Sequence, residues 1–208
     1  DLLEWTETFA IDRSKRAITD LDIISGVHST QINDAMSSIL RTMDKVGMVN
    51  QKGFEILIQI LSLKIYDEKR NERTPKRFLD FYITDEEKNF KTLADTQLQE
   101  FSQRIISLRS EASGSYYLIL KDNLLNVKNE NHIKVLIEVV YQFQDYSFVR
   151  SHKTDLYQLV LYKFATPFSS TFPSNTLSLS LSLAELETFE SLKSRSSSLS
   201  SALDSKLT

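Results

Sequence analysis

The sequence predicts a mainly α fold: a helical bundle with a short strand and a long C-terminal helix. Only 4 Gly and 3 Pro occur in 208 residues, too few turn formers for an all-β fold, which needs a turn about every 8–12 residues. Hydrophobic residues make up 41% and charged residues 25%, values typical of a globular protein. Apolar side chains recur at helical spacing along most of the chain. Helices are therefore favoured over strands.

Four segments carry the apolar spacing of a helical face. The first covers residues 29–47 and ends at Gly47, a favoured helix-terminating residue. The second is apolar on almost all sides over residues 54–65 and continues through KIYDEKRN, so we expect it at the centre of the core. The third covers residues 96–112, and the fourth begins after Asn129, a favoured N-terminal cap.

Two further segments complete the predicted helical body. Residues 77–90 mix aromatic and acidic side chains without a clear period, so we expect irregular structure there with one short strand or turn. The stretch DLYQLVLYKFATPFSS begins as a helix capped by Thr154 or Asp155 and ends before Pro167, because proline disfavours helical geometry in the residue before it. We expect this helix at the edge of the bundle, where the chain turns toward another element.

The composition changes after Pro173. Leucines alternate with polar residues over residues 177–183, which predicts a short strand. A thin leucine stripe follows at the spacing of a paired helix, and serine occupies most other positions, so this helix needs a partner surface. The predicted organisation is a helical N-terminal domain (1–168), a linker or chain break (169–176), and a strand with a leucine-stripe helix (177–208).

Residues with catalytic potential are sparse. The chain has no cysteine, its 3 histidines lie far apart and its 4 glycines are isolated, so thiolate chemistry, clustered metal ligands and phosphate-binding loops are not expected. We interpret the carboxylate pairs Asp67–Glu68 and Glu86–Glu87 as solvated surface rather than acid–base groups. The sequence therefore predicts no catalytic, cofactor-binding or metal-binding residue in this chain.

Targeting and charge features point to a soluble, cytoplasmic protein. No uninterrupted apolar run reaches about 18 residues, and the acidic start DLLEWTET lacks the basic and apolar regions of a signal peptide. The formal net charge of -3 provides no overall attraction to polyanions, so contact with nucleic acid requires a local basic patch. Because the first residue is Asp rather than Met, we expect the chain to be trimmed or incomplete.

One basic patch lies at the end of the second predicted helix. Six basic residues against three interleaved acidic residues leave a surplus of three positive charges. A surplus of this kind can follow a DNA backbone by releasing its counterions; the alternative is an ordinary helix end, where cations complement the dipole. A smaller second patch contains Arg150, His152 and Lys153. The candidate DNA-binding residues of the first patch are Lys64, Lys69, Arg70, Arg73, Lys76 and Arg77.

Three strings in order resemble the N-terminal helical region of N6-adenine DNA methyltransferases of the type I restriction-modification kind. They are ILIQILSLKIYDEKRN, NHIKVLIEVVYQFQDYSF and TDLYQLVLYKFATPF, within roughly residues 30–170. The resemblance implies that the first helix belongs to the bundle and that the last leads into a domain that binds S-adenosylmethionine. It also implies double-stranded DNA, a specificity subunit and a restriction subunit as partners, and a parent enzyme that flips the target adenine out of the duplex.

The chain departs from that family after residue 168. Family members usually continue into a segment resembling GQFYTP, where this chain has SSTFP. The glycine-rich cofactor loop and the (N/D)PP(Y/F) motif do not occur, so we expect this chain alone not to be catalytic and not to hold a cofactor. The strand and leucine stripe of residues 177–208 resemble the spacer of specificity subunits. Residues 1–168 and 177–208 are then expected to be separate parts of a longer enzyme.

Two hypotheses of function follow. The first is a DNA-clamping and subunit-docking module of such a methyltransferase, with the catalytic domain absent from this chain. The second is a non-enzymatic helical module for protein–protein interaction, in which the leucine stripe pairs with another chain and the basic patch is ordinary surface.

Overall fold

The computed structural model describes residues 12–24, 30–75 and 77–151. These residues form a mainly helical body, which confirms the predicted fold class. Their only strands are two residues long each and pair with each other.

The chain divides into two units, residues 1–168 and 169–208, and every described residue belongs to the first. The predicted helix before Pro167, the predicted strand at 177–183 and the long C-terminal helix lie outside the described residues. The secondary structure and the roles expected for this helix, this strand and the C-terminal helix therefore stay predictions.

Six α-helices and one parallel strand pair are found in the described residues. Strand β1 (Asp22–Ile23) pairs with β2 (Tyr146–Ser147), and short 3-10 turns cover Arg13–Lys15 and Ile18–Asp20. The helices are α1 (Thr30–Lys45), α2 (Gln51–Arg73), α3 (Asp85–Lys88), α4 (Thr96–Ala112), α5 (Tyr117–Leu120) and α6 (Glu130–Phe143).

The four helices expected from apolar periodicity are confirmed as α1, α2, α4 and α6. The Asn129 side chain caps α6 by accepting a hydrogen bond from the Asn131 amide at 2.9 Å, which satisfies an amide without a helical partner. In the turn between α1 and α2, Gly47 has φ +67°, a conformation that favours glycine. A Cβ on Gly53 would lie 1.9 Å from the Met48 carbonyl oxygen, so the start of α2 also requires glycine.

Residues 77–90 were predicted to be irregular but contain one short helix. A stretch without regular secondary structure leads into α3, which is stabilised by a capping box. The Thr84 hydroxyl accepts from the Glu87 amide at 3.1 Å, and the Glu87 carboxylate accepts from the Thr84 amide at 2.9 Å. The other unpredicted helix, α5, is a single turn that follows Tyr116.

Helix α2 lies at the centre of the body, as its apolar sequence predicted. It contacts α4, α5 and α6, while α1 packs against α6. Aromatic side chains fill the space around it: Phe143 and Phe148 stack edge to face at 5.0 Å, and Tyr116 stacks on Tyr66 at 5.9 Å. Phe143, Phe148 and Tyr116 are all buried and therefore belong to the core.

Candidate functional site

The last third of α2 is polar and nevertheless buried. We call this cluster the polar centre; it consists of Lys64, Asp67, Glu68, Arg70 and Asn71. Lys64 is 1% exposed, and Asp67 and Glu68 are both 0% exposed. The interpretation of Asp67–Glu68 as solvated surface was therefore wrong, because chain segments distant in sequence fold over this end of the helix. Glu87 of the second pair is also buried, where it binds Arg104 at 2.8 Å.

Glu68 holds the chain that follows α6. Its carboxylate accepts hydrogen bonds from the amides of Phe148 (3.0 Å) and Val149 (2.9 Å) and from the Ser147 hydroxyl (2.8 Å). Lys64, one turn earlier on α2, places its Nζ 3.1 Å from the same carboxylate. A buried charge costs several kcal/mol unless it is paired and hydrogen-bonded. These four partners therefore explain how Glu68 is accommodated in the core.

Asp67 holds the segment between α2 and α3 in the same way. Its Oδ2 accepts from the amides of Asp80 (2.8 Å) and Phe81 (2.7 Å), and its Oδ1 lies 2.5 Å from an Arg70 nitrogen. Burial raises the pKa of the Asp67 carboxyl above its ordinary value, while the Arg70 charge and the amide bonds act in the opposite direction. Asp67 thus fixes the turn back from the end of α2.

Arg70 connects the polar centre to α4. Its guanidinium binds Asp67, Asp80 at 2.5 Å and Glu111 at 2.9 Å. Burial opposes the charge, but the surrounding carboxylates outweigh it and raise the pKa of Arg70. At Glu111, burial alone would raise the pKa of the carboxyl, yet hydrogen bonds from Arg77 and Arg70 hold that pKa below its usual range.

Asn71 completes the arrangement by binding the N-terminal segment. Its Oδ1 accepts from the Ile18 amide at 2.7 Å, and its Nδ2 donates to the Arg77 carbonyl. Three segments, at residues 16–20, 77–81 and 147–151, therefore converge on one end of α2 through hydrogen bonds to neighbouring side chains of that helix.

The polar centre holds the neighbouring loops in position. Each of its carboxylates accepts hydrogen bonds from backbone amides and contacts a basic side chain, an arrangement that fixes loops in place. In residues 12–24, 30–75 and 77–151, no three His, Cys, Asp or Glu side chains are grouped so that they could hold a metal ion.

The structure separates the six candidate DNA-binding residues. Lys64 is enclosed in the core and Arg70 has a side chain 7% exposed, so neither presents its charge at the surface. Arg73 is exposed, while Lys69 and Arg77 are half-buried, and Lys76 lies outside the described residues. DNA contact stays a prediction for the residues at the surface, and the burial of Lys64 contradicts its assignment to a surface patch.

Folding also changes the local charge. Asp80 and Glu111 bind Arg70 and Arg77, although neither acid belongs to the helical segment from which the surplus was counted. With these two acids included, the surplus of positive charge falls from three to one. Counting along the helix missed both acids because Asp80 follows the end of α2 and Glu111 is 41 residues from Arg70 along the chain.

Arg150 is the one member of the second basic patch that the structure describes. It donates to the carbonyls of Ile18 (3.1 Å) and Thr19 (3.2 Å), while the amide of Ile18 binds Asn71 on α2. Arg150 is therefore connected through Ile18 to the end of α2. The other members of the second patch, His152 and Lys153, lie outside the described residues.

Away from the polar centre, two large apolar side chains of α5 are exposed. Tyr117 is 65% and Leu118 is 61% exposed.

No helix in the described part of the chain is long and apolar enough to cross a bilayer.

Comparisons with known proteins give no family assignment. No protein-family model matches the chain, and neither the curated proteins nor the solved structures contain a match.

Proposed function

We propose that this helical body is the DNA-clamping and subunit-docking module of a site-specific N6-adenine DNA methyltransferase of a restriction-modification system. It would act in the cytoplasm beside specificity and restriction subunits or domains. S-adenosylmethionine and the groups that transfer its methyl group would bind to sequence outside this chain. The proposal originates in the resemblance of three strings to that family.

The observation that supports the proposal most is the position of the string KIYDEKRN. All five residues of the polar centre belong to this string, and Asp67, Glu68 and Asn71 each bind a segment distant in sequence. Buried polar residues with this many specific partners are required by the fold and cannot be exchanged as freely as polar residues at the surface. The resemblance therefore involves residues on which the fold depends.

DNA contact would come from cations at the surface near the end of α2. Arg73 is exposed and Lys69 is half-buried there, and phosphate contacts of this kind weaken steeply as salt rises. The small remaining charge surplus predicts weak binding that depends on the rest of the enzyme for specificity. Phosphate contacts of this kind position DNA without reading its sequence, which is the role expected of a clamp.

Fluorescence anisotropy with a labelled duplex, at about 50 and 200 mM salt, tests the proposal. We expect the full chain to bind at low salt and to lose most binding at high salt. The variant Lys69→Glu/Arg73→Glu should weaken binding at low salt. The matched variant Lys45→Glu/Lys52→Glu, which reverses two exposed charges near the other end of α2, should bind like the parent. Equal binding by both variants, or none at 50 mM, would contradict the clamp.

The exposure of Tyr117 and Leu118 favours the second candidate, a non-enzymatic protein-interaction module. Apolar side chains that stay exposed together often mark a contact surface. If the chain fails to bind DNA and forms a dimer by analytical ultracentrifugation, Leu192→Glu in the leucine stripe and Leu118→Ser on α5 distinguish which surface pairs. Loss of the dimer in either variant supports this alternative.

A further inference from the structure

The first and last described segments of the body bind each other. We call residues 12–24 and 145–151 together the terminal clasp. Their strands β1 and β2 run in parallel, the Asp22 amide donates to the Asp145 carbonyl at 2.8 Å, and the Ile24 amide donates to the Ser151 hydroxyl at 2.9 Å. The two halves are more than 120 residues apart in sequence.

A partly exposed ionic contact joins the two halves on the outside. The Asp145 carboxylate accepts from Arg13 at 3.4 Å and from Arg16. Arg150 reaches back in the other direction to the carbonyls of Ile18 and Thr19. Each half therefore supplies both donors and acceptors to the other.

The inner side of the clasp binds the polar centre. Glu68 accepts from the amides of Phe148 and Val149, and Asn71 accepts from the amide of Ile18. If one half moved away, the other half would lose its hydrogen-bond partners. Buried polar groups of α2 would also lose theirs, and this costs more free energy than the loss of an exposed contact. The halves are thus energetically tied together.

We propose that the terminal clasp is one conformational unit, which opens and closes as a whole over the end of α2 while the helices stay folded. A partner that binds either half of the clasp can then influence the other half by shifting one equilibrium. This inference goes beyond the proposed function, since it does not depend on DNA binding.

Amide hydrogen exchange on the full chain tests the inference. Asp145→Ala removes the outer ionic contact but keeps the backbone carbonyl that binds Asp22. We expect exchange to accelerate by a common factor of about three to ten at Asp22, Ile24, Phe148 and Val149. Amides inside α4 and α6 should exchange at the parental rate.

Two further variants complete the experiment. Arg16→Gln perturbs the opposite half and should accelerate the same four amides. Glu100→Ala removes an exposed carboxylate on α4 and should leave all four unchanged. Acceleration confined to the half that carries the substitution, acceleration of helix amides by the same factor, or no acceleration in either clasp variant would overturn the inference.

Discussion

The interface between α1 and α6 and the polar centre of α2 are equally buried but are stabilised in different ways. Helices α1 and α6 pack against each other, and the buried side chains of both are chiefly apolar, among them Ile39 and Met43 on α1 and Val140 on α6. The polar centre instead contains ions and amides. Removal of apolar area from water stabilises the first region, whereas in the second, pairing must offset the cost of desolvation.

This difference determines how each region responds to damage. An apolar interface loses free energy in proportion to the volume removed, and a smaller side chain leaves its neighbours satisfied. In the polar centre, the loss of one partner leaves a buried charge unpaired. The loss in free energy of unfolding therefore includes the cost of leaving unaltered groups without partners. A single substitution is thus expected to reduce stability most in the polar centre.

The largest effect is expected from Glu68→Ala. The substitution leaves the Lys64 ammonium in the core without its carboxylate and leaves the amides of Phe148 and Val149 without an acceptor. We expect a loss of about 3–5 kcal/mol in the free energy of unfolding, the range typical of a broken buried pair. Urea unfolding followed by circular dichroism measures it.

A matched surface pair provides the control for Glu68. Glu130 and Lys134 have the same residue types at the same four-residue spacing, with 2.7 Å between charged atoms, but both side chains are exposed. Glu130→Ala should cost about 0.5 kcal/mol or less, since exposed ion pairs contribute little. Similar losses for Glu68→Ala and Glu130→Ala would show that burial does not distinguish the two pairs.

The apolar interface should respond in graded steps. Ile39 is fully buried on α1, so Ile39→Val should cost about 0.5–1.5 kcal/mol and Ile39→Ala about 2–5 kcal/mol. Ile106→Ala on the exposed face of α4 should change the free energy of unfolding by less than about 0.5 kcal/mol. If Ile39→Val were as costly as Ile39→Ala, specific shape rather than removed volume would dominate this interface.

The same contrast explains how far sequence could predict the fold. Helices α1, α4 and α6 follow from local signals, namely an apolar period and a capping residue, and all three were predicted. Helix α3 carried a readable Thr84–Glu87 capping box, but its single turn has no period to detect. Local patterns sufficed for elements that are stabilised mainly by their own apolar face.

The polar centre could be predicted only in part. Lys64 follows Leu57 and Ile60 at helical spacing and precedes Glu68 by four residues, so its place on a buried face with a partner was detectable. The amide and hydroxyl groups that donate hydrogen bonds to Asp67 and Glu68 are 13 to 81 residues away, and no local pattern indicates them. The prediction of a surface patch was wrong at Lys64 because it counted charges along the helix without those segments.

The smallest effect should come from His132, near the N-terminus of α6. Burial lowers the pKa of its imidazole below the ordinary value of 6.5, and the Lys52 charge lowers it further. The ring Nδ1 accepts from the Asn126 amide at 3.1 Å, which requires that nitrogen to be unprotonated. Because the unfolded chain binds the proton more readily, this contribution to stability is present above pH 6.5 and is lost as the pH falls through the folded-state pKa.

Replacing the imidazole with an uncharged side chain tests this assignment. The parent should lose more stability than His132→Gln between pH 7.5 and pH 5.5, by a few tenths of a kcal/mol, since the ring is partly exposed and screened by solvent. Urea midpoints of both proteins at the two pH values measure the difference. Lys52→Gln should reduce it, because part of the shift comes from that charge. Parallel pH profiles of parent and His132→Gln would remove His132 as a source of pH dependence.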